Sequence, residues 1–203
     1  MKPYYEEAGI QIFHGDCREI LPQLGRFDLL LTDPPYGIGI AANPIRQAHE
    51  VSDWDAKAPD AWVFGLMLSK ASYSVIWGGN YFDLSPSQSF LVWDKKQPED
   101  LTLAMCEQAW CNFRSPAKMF RYSVTSYAKE HPTQKPLPLI KWCISRVPSE
   151  VKSIVDPYLG SGTTLVAAKD LGILATGIEL EERYCEIAAN RLRQSVLNFE
   201  GVA

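Results

Sequence analysis

Three short stretches gather the side chains that chemistry uses. The first is FDLLLTDPPYGIG, Phe27 to Gly39, in which an apolar run stops at a carboxylate, Asp33, and gives way to two prolines and an aromatic ring. Such a run suits a core strand of a parallel sheet, and open α/β sheets place ligand chemistry at the carboxyl ends of their strands. Pro34 and Pro35 carry no N–H donor and stiffen the chain as it leaves the sheet, so the carbonyls around them lack ladder partners and are available to a guest. Tyr36 adds a flat face beside them. An acceptor carboxylate, free carbonyls and a stacking ring suit a planar guest that carries an amino group.

The second stretch, VKSIVDPYLGSGTT, is a strand ending at Asp156, then a loop, then a helix start near Thr163. Gly160 and Gly162 allow the loop to turn tightly and its backbone to approach a ligand at the helix N-terminus. The next strand ends in Glu179, about 20 residues on, the spacing at which a carboxylate meets ribose hydroxyls in dinucleotide-binding units. No lysine follows the glycines and no G-x-G-x-x-G is present, which excludes a P-loop and the standard dinucleotide fingerprint. A nucleoside cofactor fits; a plain strand-to-helix turn is the alternative. The third stretch, HPTQKP, His131 to Pro136, frames Thr133 and Lys135 between prolines ahead of a helix. A hydroxyl and an ammonium fixed there suit a carboxylate, although the same residues also make a solvated connector.

The elements that must position these residues alternate strand with helix, the pattern of a mostly parallel α/β sheet with helices on both faces. Strands are expected at Ile10–Gly15, Phe27–Asp33, Tyr73–Trp77, Phe90–Trp93, Val151–Asp156 and Leu174–Ile178, and a late pair at Gln108–Phe113 and Lys118–Tyr122 has the spacing of a hairpin. Helices are expected from Asp16 to about Leu24, and over Ala61–Ala71, Leu137–Val147, Thr163–Leu171 and Glu182–Leu197; Pro136 enters the third of these at the tolerated first turn. Ile40 to Pro59 is a long polar loop, a kind that is usually functional or disordered in a compact domain.

Composition narrows the classes further. A chain of 203 residues fits one domain with a substantial core. MKPYYEEAG has no secretory h-region and no apolar run approaches a membrane span, so a cytoplasmic location is expected. Five cysteines, an odd number without a C-x-x-C, indicate neither a disulfide framework nor a zinc site. The net charge of −4 lacks the basic footprint of many nucleic-acid enzymes. Lysine and arginine nevertheless collect between residues 95 and 141 and glutamate near the end, which a basic face or a mixed solvated surface would equally explain.

Together the three stretches resemble the β group of amino-methyltransferases that use S-adenosylmethionine, in which D-P-P-Y, H-P-T-Q-K-P and D-P-F-x-G-S-G-T-T occur in this order. Tyr158 stands where that family usually has Phe. The resemblance extends to HGDCREILPQL before the first motif and GIELEERYCEIAANR after the last. It implies a Rossmann-like methyltransferase fold with a circularly permuted motif order, carrying a late antiparallel hairpin strand on the mostly parallel sheet.

The resemblance also implies site roles. Asp33, Pro34, Pro35 and Tyr36 would be catalytic: the Asp33 side chain and the Pro34 carbonyl accept the hydrogens of an exocyclic amino group, while Tyr36 stacks on a base flipped out of duplex DNA. Asp156, Gly160, Ser161, Gly162 and Thr163 would line the methionine end of S-adenosylmethionine, with Thr133 and Lys135 on its carboxylate and Glu179 on its ribose. Asp33 would border the cofactor. Asp16 would meet the adenine beside the Cys17 backbone, but an Asp at that place is also a good helix N-cap. No metal is implied.

Little room separates the last expected strand from HPTQKP, so a single domain of residues 1–203 with no separate recognition segment is expected. Arg46, Gln47, Lys57, Lys95 and Lys96 are candidates for contacts to double-stranded DNA. A second subunit, as in a homodimer, is an alternative source of recognition. Adenine N6 is the expected target because D-P-P-Y goes mostly with that base in the family. Cytosine N4, an RNA adenine and an inactive cofactor-binding partner subunit remain the alternatives.

Overall fold

The computed structural model describes residues 1–38, 57–100, 104–126 and 134–194. Their strands in chain order are β1 (Tyr5–Glu7), β2 (Ile10–His14), β3 (Phe27–Thr32), β4 (Ala71–Trp77), β5 (Phe90–Asp94), β6 (Cys106–Cys111), β7 (Lys118–Arg121), β8 (Ser153–Asp156) and β9 (Leu174–Glu179). The helices are α1 (Cys17–Ile20), α2 (Ala61–Ser69), α3 (Leu137–Ile144), α4 (Thr163–Asp170) and α5 (Glu182–Gln194). Among the described residues the strands form one sheet in the order β1-β2-β9-β8-β3-β4-β6-β5-β7.

The middle of the sheet, β2-β9-β8-β3-β4, is parallel, so the carboxyl ends of these five strands share one edge. Side chains alternate between two cores, as the period of a strand requires. Leu29, Leu31, Val75, Trp77 and Ile154 face α3, α4 and α5, whereas Leu30, Ile76, Val155 and Ile178 face α1 and α2. Helices therefore cover both faces, and β3 reads as a nearly continuous apolar run because neither of its sides meets water. Asp28, the polar residue in that run, pins the entrance of the strand: its Oδ2 accepts the N–H groups of Lys152 and Ser153 at 2.8 and 3.0 Å, fixing β3 against β8.

The antiparallel part differs from the expected hairpin. An antiparallel strand is present, but β6 does not pair with β7. It inserts between β4 and β5, antiparallel to both, and β7 lies outside, parallel to β5. Burial gives the reason. Ala109 and Cys111 of β6 are fully buried and suit an interior strand, whereas Lys118 and Arg121 leave β7 fit for an edge. The short edge strand β1 was not foreseen. The helix expected from Asp16 breaks after Ile20 into a 3-10 turn, Leu21–Gln23, at Pro22.

Candidate active site

A cavity of about 360 Å³ opens at the common carboxyl edge of the parallel strands. Each motif reaches it from a different element. Asp33 follows β3, Asp156 ends β8, Glu179 ends β9, and Gly15 and Asp16 link β2 to α1; all five line the cavity.

The glycine loop is built by its neighbours. Gly162, the N-cap of α4, has φ 83°, a left-handed conformation that side chains resist, and a Cβ there would lie 2.7 Å from the Ala188 Cβ of α5. Glu179 spans the mouth of the loop: its Oε2 accepts the Gly160 N–H at 2.7 Å and its Oε1 the Glu181 N–H at 2.8 Å. Burial raises the pKa of this carboxyl, and the two backbone donors oppose that rise. Arg191 of α5 closes the other side, donating to the Ser161 carbonyl at 2.5 Å and to the hydroxyls of Ser161 and Thr163 at 3.1 Å. Ser161 Oγ in turn donates to Gln134 at 3.2 Å, which joins the loop to the stretch before α3.

Also at the cavity, Asp33 is held on both carboxylate oxygens. Tyr36 OH donates to Oδ1 at 2.6 Å and Lys135 Nζ to Oδ2 at 2.5 Å. Lys135, only 6% exposed, also lies 3.0 Å from Glu107 of β6, whose second oxygen meets Lys95 at 2.5 Å. Burial raises the Asp33 carboxyl above the ordinary carboxylate range; Lys135 opposes that and Glu107 adds to it. Burial also works to raise Glu107, but the ammonium groups of Lys135 and Lys95 outweigh it and hold that carboxyl at about 2. The Tyr36 ring stacks on that of Tyr81 and meets Phe82 edge-on.

The structure thus brings Asp16, Cys17, Asp33, Pro35, Lys135, Asp156, Gly160, Ser161, Thr163 and Glu179 around one cavity. Pro34, buried, and Tyr36 adjoin it, and Gly162 acts from beneath as the turn of α4. Asp16 does serve as an N-cap: its Oδ1 accepts the Arg18 N–H at 2.8 Å, and its ion pair with the Arg18 side chain holds its carboxyl below the usual range.

Two placements differ from expectation. Lys135, expected on a cofactor carboxylate, lies on Asp33 and Glu107, and Lys95, expected to face DNA, is 14% exposed and turned inward. Lys57, exposed and paired with Asp60 at 2.7 Å, stands at the cavity rim, and Lys96 is exposed. Arg46, Gln47 and Thr133, with most of the polar loop, lie outside the described residues. Sequence reasoning missed Glu107, Gln134 and Arg191. Of these Gln134 had a local signal, inside HPTQKP, and Arg191 closes the GIELEERYCEIAANR stretch.

A parallel sheet whose carboxyl edge carries a glycine loop and the carboxylates Asp33, Asp156 and Glu179 around one cavity defines an α/β protein with the architecture of a nucleotide-type cofactor site. Solved structures share the fold. The M1.HpyAVI–SAM complex matches with a TM-score of 0.61 at 24% identity, covering 90% of this chain and 99% of that one. The PvuII DNA methyltransferase (cytosine-N4-specific) matches with a TM-score of 0.65 at 15% identity, covering 98% and 91%. In sequence, the type II methyltransferase M.ScaI of Streptomyces caespitosus is 24% identical over 94% of this chain and 84% of its own length. Residues 74–190, more than half of the chain, match the family model described as DNA methylase. The chain belongs to that family and is a DNA methyltransferase.

Proposed function

We propose that the chain methylates the exocyclic N6 amino group of adenine at specific sites in double-stranded DNA. The observation that carries this reading is the position of Asp33: an acceptor carboxylate at the end of β3, oriented by Tyr36 and bordering a cavity that the glycine loop and Glu179 also line. S-adenosylmethionine, when bound, supplies an electrophilic methyl group. The cavity fits it: the Glu179 carboxylate suits ribose hydroxyls, the 160–163 loop the methionine end, and Asp16 with the Cys17 backbone the adenine.

An exocyclic amino group is a poor nucleophile because its lone pair is delocalised into the ring. When the Asp33 carboxylate and the Pro34 carbonyl accept its two hydrogens, the nitrogen becomes more pyramidal and its lone pair becomes available for in-line displacement. The same acceptors stabilise the positive charge that develops on nitrogen, and Asp33 is placed to receive the proton that leaves afterwards. A base paired within a duplex cannot reach this pocket, so the target is flipped out onto Tyr36. Lys57 and Lys96 suit phosphate contacts, as do Arg46 and Gln47 of the polar loop.

We take the chain as a single catalytic domain acting in the cytoplasm. No helix of the described residues is long and apolar enough to cross a membrane. The preference for adenine rests on the D-P-P-Y resemblance. The test incubates the protein and an Asp33→Ala variant with S-adenosylmethionine and unmethylated duplex DNA, then analyses the digested nucleosides by mass spectrometry. N6-methyladenine from the unaltered chain alone is the expected result. N4-methylcytosine would overturn the choice of base, and cofactor binding without any DNA methylation would favour an RNA substrate or an inactive partner subunit.

A further inference from the structure

Glu107 belongs to none of the three motifs, yet it stands one side chain away from Asp33. The two carboxylates share Lys135, and Lys95 closes the row, giving Asp33–Lys135–Glu107–Lys95 in alternating charge. Trp77 lies under Lys135 and Trp93 under Lys95, with ring centroids 5.4 and 5.5 Å from the ammonium nitrogens. Four charged groups in so apolar a setting are tolerated because they sum to zero and each touches its opposite.

The two contacts of Lys135 differ. Toward Asp33 the ammonium makes a directed hydrogen bond of 2.5 Å. Toward Glu107 it lies 3.0 Å from Oε2, a buried atom that receives no aligned hydrogen bond. Glu107 Oε2 therefore sits in ion-pair contact with an ammonium whose directed bonds go to Asp33 and, at 3.4 Å, to the Tyr36 hydroxyl.

That arrangement matters for the reaction. With Tyr36 orienting one oxygen and the Lys135 ammonium held on the other, Asp33 is a weakened acceptor on the Lys135 side, and a cation against it opposes the positive charge that grows on the target nitrogen. Resting on the function proposed above, we infer that Glu107 is a positioning residue, drawing the Lys135 ammonium off Asp33 so that the carboxylate is free to accept the target amino group. The shift is short, because Lys135 already touches both carboxylates, and the buried ammonium keeps a carboxylate partner throughout.

The test uses the full chain and two variants, Glu107→Gln and the charge-balanced double variant Glu107→Gln/Lys95→Met. The double variant keeps the Asp33–Lys135 pair neutral and guards against simple misfolding of the single one. Single-turnover methylation with both substrates saturating is expected to slow by about 10-fold or more in both, while S-adenosylmethionine affinity and the KM for DNA stay within about threefold. Thermal unfolding of the double variant is expected to recover relative to Glu107→Gln without recovery of rate. A rate that recovers along with stability would reduce Glu107 to a structural partner and overturn the inference, as would a Glu107→Gln enzyme at the wild-type rate. Absence of methylation by the unaltered chain would instead remove the proposed function, and this inference with it.

Discussion

The ring of Tyr81 lies against that of Tyr36, with centroids 4.9 Å apart and planes 16° from parallel. Tyr81 ends the turn Gly79–Tyr81 and is 47% exposed, so it can leave, whereas Tyr36 is tied to Asp33 through its hydroxyl. Gly78, at φ 70°, lets the turn come this close; a Cβ there would lie 2.2 Å from the Tyr36 ring. On the proposed function, a flipped base that takes the Tyr81 face of Tyr36 competes with Tyr81. Base–aromatic stacking is worth about 1–3 kcal/mol, so Tyr36→Ala is expected to raise the KM for DNA roughly 5- to 150-fold. Tyr36→Phe keeps the stack but loses the bond to Asp33 and is expected to lower kcat at nearly constant KM. Tyr81→Ala is expected to lower the KM for DNA; a large increase would show that Tyr81 stacks on the base itself.

Gly162 joins the cofactor loop to the packing of the fold. Its left-handed φ and the Ala188 Cβ at 2.7 Å penalise any side chain twice. Left-handed backbone costs roughly 1–2 kcal/mol and overpacking roughly 1–3, so Gly162→Ala is expected to lose about 2–5 kcal/mol of stability. For a chain of this length that is a fall in Tm of roughly 4–20 °C, readable by calorimetry. Gly172→Ala is the comparison. It shares a positive φ of 68° but meets nothing within 4 Å, so it is expected to cost less.

These two positions show what was legible in the chain and what was not. The motifs stand out in sequence because Pro-Pro and Gly-x-Gly are rare inside regular elements and mark backbone that has left a ladder, and β3 stands out because both of its faces are buried. The apposition of Tyr36 with Tyr81, of Gly162 with Ala188 and of Asp33 with Glu107 depends on which strand neighbours which. Local pattern does not carry that information: β6 and β7 look like a hairpin by spacing, whereas β6, with Ala109 and Cys111 fully buried in one core, lies between β4 and β5. Glu107 was unreadable for the same reason, since a glutamate at the start of an expected strand ordinarily faces water.

Glu179 supports the loop with one oxygen and the turn after β9 with the other, which gives it a role before any ribose arrives. In Glu179→Gln one backbone N–H, of Gly160 or of Glu181, faces an amide NH2 in place of an acceptor. A hydrogen bond to a charged group contributes about 1.5–3 kcal/mol, so S-adenosylmethionine affinity is expected to fall roughly 10- to 150-fold by calorimetry. DNA affinity measured without cofactor is expected to be unchanged, because Glu179 ends β9, which β8 separates from β3, the strand that Asp33 follows. A variant that binds the cofactor normally would show that neither the ribose contact nor the support of the loop depends on the charge.

Asp156 sets a pH dependence of opposite sign to that of Glu107. Its carboxylate is 3% exposed and accepts the Thr32 hydroxyl at 2.8 Å and the Tyr158 N–H at 3.2 Å, yet burial dominates and raises its pKa from 3.8 to about 6. Between those values the folded chain binds more protons than the unfolded one, so this group lowers stability as pH rises from about 4 to 6. Glu107, held at about 2, contributes stability that is present above 4.5 and lost as pH falls toward 2. Asp156→Asn removes the first effect and leaves the second. A displacement of two pH units corresponds to about 3 kcal/mol, so the stability of Asp156→Asn relative to wild type is expected to rise by roughly 2–3 kcal/mol between pH 4 and pH 7. Urea unfolding across that range measures it. Subtracting one protein from the other cancels every other titrating group, so a difference that stays flat would mean that Asp156 is ionised in the folded chain at no cost.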